Sequence, residues 1–266
     1  VPRPEARPLA ENLSARIRAH GAVPLIAGLF AGKPIVGLSD AQLDELLAAP
    51  AEKVQKVNTS NIGVAMARSS HGATTVSSTM ELAAAAGVGV FATGGVGGVH
   101  FHDQDHPGGL DVSSDLHAFT RFPVAVIASG VKSILDVAGT REMLETLGVP
   151  VIGFGTDDFP AFYLRRADNA QVAPLDARFD DVGELARFVR RELARTRRGV
   201  LICNPIPKAH EIKPEDWRRW LNDARQIASA SGAKGREVSP RLRADIALVE
   251  SNAELAARLA RAMVEP

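Results

Sequence analysis

Short apolar runs closed by glycine or proline alternate with helix-period stretches along most of this chain. That alternation restricts the chain to a layered α/β fold. The clearest strand-like runs lie at 88–93, 123–129, 149–154 and 199–203. Each ends in a polar or glycine-rich segment: Gly94-Gly95-Val96-Gly97-Gly98, Gly130-Val131-Lys132-Ser133, Gly155-Thr156-Asp157-Asp158 and Asn204-Pro205-Ile206-Pro207. Ligands of α/β sheets sit at the carboxyl ends of strands, so these segments are where chemistry is expected. Helical periodicity predicts helices at 41–48, 78–86, 133–147, 182–195, 215–229 and 245–263. Pro214 is a start signal for the fifth of these, and Gly148 a stop signal for the third. Arginines crowd 187–198, but Leu185, Phe188, Val189 and Leu193 form an apolar stripe there, so the basic run reads as the solvated face of a helix. No internal repeat is present, and the linker candidate at 232–239 is too short to demand a second domain.

Charge and composition narrow the partners. Lys plus Arg equals Asp plus Glu at 31 each, so no net field exists to hold a nucleic-acid backbone or an anionic membrane surface. Aromatics make up 5% of the chain and Tyr163 is the only tyrosine, which argues against a base-stacking single-strand binder. Cys203 stands alone, excluding an internal disulfide framework and a cysteine-rich zinc site. No apolar run reaches the length of a membrane span, and the first seven residues contain no signal core. The expectation is a soluble, cytoplasmic protein that binds no nucleic acid and no membrane, on which any anionic ligand must be caught locally.

Lys132 is the most informative single residue. Read from the pattern, it follows an apolar strand through a glycine turn and opens a helix, where the helix dipole and partial desolvation would favour a neutral amine. A neutral lysine attacks a carbonyl carbon to form a Schiff base. The plainer alternative is a surface lysine at a strand–helix turn. Lys56, in Val54-Gln55-Lys56-Val57, is a second candidate whose plainer reading is an exposed strand-edge lysine. The segment Gly94 to Gly98 and the segment Gly72-Ala73-Thr74-Thr75-Val76-Ser77-Ser78 each suit a phosphate or sugar cradle, because exposed amides and a helix start favour an anion. Neither has Walker or dinucleotide spacing, and a tight structural turn explains either equally well. His100, His102, Asp103, Asp105, His106 and Asp111 crowd one loop, with Ser113, Ser114 and Asp115 just beyond. Carboxylates with hydroxyls suit Mg²⁺ or Mn²⁺, imidazoles suit zinc, and a polar loop without metal fits as well. No helical His-Glu-x-x-His pattern marks a zincin.

Taken in order, Lys56, Gly72 to Met80, Phe91-Ala92-Thr93 through His100, Asp111-Val112-Ser113-Ser114-Asp115-Leu116, Lys132-Ser133-Ile134-Leu135-Asp136 and Asn204-Pro205-Ile206-Pro207 form one series. This series resembles the pseudouridine-5'-phosphate glycosidases, also called the indigoidine synthase A-like family. The likeness runs from Gly21-Ala22-Val23-Pro24 to Asn252-Ala253. It implies a single domain over 1–266, layered α/β/α around a mixed, largely parallel central sheet. It also implies a Mn²⁺-dependent homotrimer that reversibly splits pseudouridine 5'-phosphate into uracil and ribose 5-phosphate. A C-glycoside offers no leaving-group heteroatom to protonate, which blocks the usual two-carboxylate route. By the resemblance, Lys132 is the Schiff-base lysine and Asp111 holds the metal. Lys56 and Val76 contact substrate, and Ser113, Ser114 and Asp115 form a sugar-phosphate loop. Thr93, His100 and Asn252 lie near the substrate.

The sequence departs from the family pattern in three places. The family's ring-opening acid is a glutamate in a Glu-Ser-Thr segment ahead of a Pro-x-Pro like Pro2-Arg3-Pro4, so it would lie upstream of Val1. The expectation is a start that is truncated, or a protein without its general acid, a loss of roughly 10²- to 10⁴-fold. Near the other end Ser239-Pro240-Arg241-Leu242 runs almost directly into Ala247-Leu248-Val249, where the family inserts a Thr-Gly-Gly loop. The loop between His100 and Asp111 is also long. A catalytically weak or silent sugar-phosphate-binding relative is therefore one alternative, and a Schiff-base aldolase of another phosphosugar is a second.

Overall fold

The computed structural model describes residues 3–101, 111–167, 173–231 and 242–265. The first half of the chain runs α1 (Arg3–Ala19), β1 (Ala27–Phe30), β2 (Lys33–Val36), α2 (Asp40–Ala48), β3 (Val54–Val57), α3 (Ile62–Ala67), β4 (His71–Thr74) and α4 (Val76–Ala85). The second half runs β5 (Val90–Ala92), α5 (Ser114–Ala118), β6 (Ala125–Ala128), α6 (Val137–Thr146), β7 (Val151–Phe154), β8 (Ala177–Phe179), α7 (Val182–Thr196), β9 (Val200–Cys203), α8 (Pro214–Ser231) and α9 (Leu242–Val264).

All four strand-like runs of the sequence become strands of one parallel sheet, ordered β5-β6-β9-β7-β8. The alternation of side chains along each strand divides two cores between its faces. Val126 and Ala128 of β6 and Leu201 and Cys203 of β9 face one core, which also contains Met80, Phe119 and Leu144. Ala125, Ile127, Val200 and Ile202 face the other, against Leu185 and Val189 of α7 and Leu255 and Leu259 of α9. The sheet is thus covered on both faces, which is why its strands read as continuous apolar runs. The apolar stripe of α7 faces inward as its spacing predicts, leaving the arginines outward.

Beside the largely parallel central sheet that the family likeness implies stands a second, smaller sheet. Among the described residues a separate four-stranded sheet has the order β2-β1-β4-β3, antiparallel except for the parallel pair β3–β4. Its strands are four residues each, too short for the apolar run that marks a buried strand, and polar and glycine residues interrupt them, as in His71-Gly72-Ala73-Thr74. A third small core of Leu29, Val57, Ile62, Ala65 and Leu82 lies beneath it. Leu82 belongs to α4, whose Met80 and Ala83 pack into the core of the larger sheet, so this helix joins the two sheets. The start of α4 is fixed by its polar side chains: the Thr75 amide donates to Ser78 Oγ at 3.1 Å, and Ser78 Oγ donates to the Val57 carbonyl at 2.7 Å.

Candidate functional site

The carboxyl ends of β5 and β6 meet the start of α4 and the start of α5, and this convergence collects most of the candidate residues. Beyond β5 the chain enters Gly94 to Gly98. The Val96 amide donates to the Gly130 carbonyl at 3.0 Å, and the Lys132 amide donates back to the Val96 carbonyl at 3.2 Å. The glycine-rich segment is therefore paired with the backbone that carries Lys132. Gly130 makes this turn possible: its φ is +76°, and a Cβ there would stand 1.8 Å from the Pro160 carbonyl oxygen.

Lys132 does not open a helix. Helix α6 begins at Val137, capped by Asp136, whose carboxylate accepts from the Gly139 amide at 2.8 Å. Lys132 to Leu135 instead form a separate turn, closed by the Leu135 amide on the Lys132 carbonyl at 3.0 Å. Pairing of Lys132 with Val96 and of the Asp136 amide with the Val99 carbonyl at 3.0 Å holds this stretch out of the helix. The dipole acts only within the first turn, so it does not reach Lys132, and the side chain is exposed rather than desolvated.

The glycines of 94–98 accommodate the protein's own side chains. A Cβ on Gly95 would meet the Phe162 ring at 2.5 Å, and one on Gly98 would meet Thr140 Oγ1 at 2.3 Å. Gly97 lies over Ser113 and Asp115, with a Cβ position 2.3 Å from Ser113 Oγ and 2.8 Å from Asp115 Oδ2. Of the two readings open for this segment, internal close packing accounts for it. Asp115, nearly fully buried, accepts from the Gly97 amide and from the Ser77 amide, each at 2.9 Å. Ser77 Oγ lies 3.1 Å from Ser114 Oγ and 2.9 Å from Thr75 Oγ1, while Ser113 Oγ accepts from the Asp115 amide at 3.2 Å. Val76, the first residue of α4, is buried beside this hydroxyl cluster.

Lys56 is exposed on the edge strand β3, in register with Ala73 of β4. Its strand ends at Val57, whose carbonyl accepts from the Thr75 amide at 2.8 Å. The sequence motifs around Lys56 and Val76 are thus brought to one sheet end. His100 and Asp111 face each other across the base of their loop, with the His100 amide on the Asp111 carbonyl at 2.9 Å and Nδ1 3.8 Å from the carboxylate. Both side chains are exposed. His102, Asp103, Asp105 and His106 lie outside the described residues, as does Arg241. Among the described residues no three His, Cys, Asp or Glu side chains converge to hold a metal ion. Asp111 with the neighbouring imidazole still fits a hard divalent ion, because such ions keep several waters and need only one or two protein ligands.

The model of the indigoidine synthase A-like proteins matches residues 1–262. The chain belongs to the indigoidine synthase A-like family. Relatives of this indigoidine synthase A-like chain include the pseudouridine-5'-phosphate glycosidase of Solibacter usitatus, 42% identical over 98% of this chain and 89% of the relative. The pseudouridine-5'-phosphate glycosidase of Symbiobacterium thermophilum is 40% identical over 99% and 88%. Among solved structures, the prealnumycin C-glycosynthase AlnA in complex with ribulose 5-phosphate superposes with a TM-score of 0.85 and 32% identity, covering 97% of this chain and 87% of its own. An indigoidine synthase A-like protein of Thermotoga maritima gives 0.80 and 30%, with coverage of 98% and 87%.

Asn252 of this indigoidine synthase A-like chain is fully buried on α9 and reaches the ends of three neighbouring strands. Its Nδ2 donates to the Thr93 carbonyl at 2.8 Å and to Ser129 Oγ at 3.1 Å, while its Oδ1 accepts from Asn204 Nδ2 at 2.9 Å. Thr93 and Asn252 therefore do meet, through a backbone carbonyl. Thr93 also lines an apolar cavity of about 500 Å³ between α1, β5 and α9, with Leu9, Leu13, Phe91 and Ala253 among its walls. Sequence reasoning missed Ser129, Thr140 and Phe162, which shape the turns without touching one another in sequence. No spacing signal marks them, because each acts by contact across the fold.

Proposed function

We propose that this chain reversibly cleaves the carbon–carbon glycosidic bond of pseudouridine 5'-phosphate, yielding uracil and ribose 5-phosphate through a Schiff base on Lys132. The observation that carries this reading is identity of 40% to 42% to pseudouridine-5'-phosphate glycosidases over nearly the whole chain. The likeness at 32% identity to a C-glycosynthase bound to ribulose 5-phosphate supports the same chemistry of a pentose phosphate and a carbon–carbon glycosidic bond.

In this mechanism the Lys132 amine adds to C1' of the ribose and the C1'–O4' bond breaks, O4' taking a proton from an acid. The resulting ammonium gives up a proton, and its lone pair then pushes toward C1' as the C1'–C5 bond cleaves, the bonding pair restoring the C5–C6 double bond of a uracil ring protonated at C5. The lysine thereby becomes an iminium. Water then adds to the iminium, releasing ribose 5-phosphate and restoring the amine, so the net reaction consumes one water. The backbone pairing of Lys132 with Val96 fixes the main chain from which that amine reaches. Lys56, Val76, Ser113 and Ser114 line the approach from the sheet end and the α5 start. Asp111 would hold a Mn²⁺ ion, which when bound would supply a Lewis acid, and His100 beside it would lie near the substrate. The assembly is proposed to be a homotrimer in the cytoplasm; no helix among the described residues is long and apolar enough to cross a membrane.

The assay is uracil release from pseudouridine 5'-phosphate with added Mn²⁺, run beside the Lys132→Ala variant. Release that disappears in the variant supports the reading. Equal release from both would remove Lys132 from the reaction, and release from neither would favour a sugar-phosphate-binding relative.

A further inference from the structure

We propose that Asp115 is a positioning residue, an internal anion that locks the start of α4 to the glycine-rich loop, rather than a ligand of the sugar phosphate. The family likeness assigns Asp115 to a substrate loop. The geometry gives its side chain another occupation. Each of its two oxygens accepts one backbone amide at 2.9 Å, Oδ1 from Ser77 and Oδ2 from Gly97, and only 4% of the residue is exposed. These amides belong to the two segments that the sequence offers as phosphate cradles.

The consequences follow from charge. A carboxylate at the first turn of a ten-residue helix already answers its positive end, and hydrogen bonds to an ionised acceptor are about twice as strong as neutral ones. An incoming phosphate would find the Ser77 and Gly97 amides taken and a like charge behind them. Its recognition therefore falls to groups outside this pair of amides. The carboxylate also reaches Lys132 through two steps of backbone: Gly97 follows Val96, whose carbonyl accepts the Lys132 amide at 3.2 Å. Glycine at 97 is the counterpart of this arrangement, since a Cβ would lie 2.8 Å from Asp115 Oδ2. The network is anchored on its far side by Ser113 Oγ, which accepts from the Asp115 amide at 3.2 Å.

The first test needs no variant and no substrate. Amide hydrogen exchange on the full chain should find Ser77 and Gly97 protected like the interior strand β6, although both lie near a loop. In Asp115→Asn a single acceptor oxygen remains and an amide group faces the other N–H, so at least one of the two should exchange about tenfold faster or more. Ser114→Ala, which removes only a hydroxyl contact, should leave both protected. Unprotected amides in the wild type, or unchanged protection in Asp115→Asn, would overturn the proposal.

The functional arm rests on the glycosidase reading. In Asp115→Asn, borohydride trapping of ribose 5-phosphate on Lys132 should slow by about tenfold or more, with equilibrium binding of ribose 5-phosphate within about threefold of wild type. A tenfold loss of that binding with exchange unchanged would make Asp115 a direct ligand and overturn the proposal. Failure of the wild type to trap any adduct would overturn the glycosidase reading instead, and the exchange result would still decide the role of Asp115.

Discussion

Asn252 shows how one side chain can organise a site from beneath. Its amide closes hydrogen bonds to the Thr93 carbonyl, Ser129 Oγ and Asn204 at 2.8 to 3.1 Å with no exposure to water. Asn252→Ala leaves those partners unpaired in the interior, and a buried unsatisfied group costs about 1–3 kcal/mol. The expected loss is about 2–3 kcal/mol in urea unfolding. A loss under about 0.5 kcal/mol would mean that water replaces the side chain. Cys203 is the opposite case, a residue whose chemistry the fold silences. Burial pushes its thiol well above the ordinary value of 9.0. The native protein should resist thiol reagents at pH 8–9 and react only after denaturation, and rapid native labelling would contradict this. Because the folded thiol holds its proton more tightly than the unfolded one, this group's contribution to stability is fully present below the unfolded value and declines as pH rises above it.

At the scale of elements, α6 decides how Lys132 is presented. The periodicity of 133–147 correctly marks a helix, but its true start at Val137 depends on Asp136, a cap that periodicity alone does not locate. Asp136→Ala removes the bond to the Gly139 amide and should cost about 1 kcal/mol. It should also loosen the Lys132 turn, raising amide exchange at Leu135; an unchanged melting curve would show that the adjoining pairing with Val99 suffices. The four apolar strands were legible because a sheet covered on both faces needs uninterrupted apolar runs. Strands β1 to β4 were not, because their short, half-exposed segments carry polar and glycine residues and their pairing depends on α4 and its core beneath. The glycines of 94–98 were visible in the sequence, but whether they served a ligand or Phe162, Ser113 and Thr140 was decided only by contact.

At the scale of the whole molecule, the two sheets meet through α4, and the candidate residues gather where that helix begins. The motif order in the sequence was enough to bring Lys56, Val76, Ser113 to Asp115, Thr93 and Lys132 to notice as one set. It could not distinguish a residue that faces substrate from one, such as Asp115, that holds the frame. The proposed trimer is open to sedimentation analysis of the full chain, which should give three times the 28.2 kDa protomer mass; a monomer would contradict it. The most direct test of the account is borohydride reduction of the protein with pseudouridine 5'-phosphate or ribose 5-phosphate, followed by peptide mass mapping. The account predicts a reduced pentose phosphate adduct on Lys132 and none in Lys132→Ala. Full uracil release with no adduct on Lys132, or an adduct on another lysine, would contradict it.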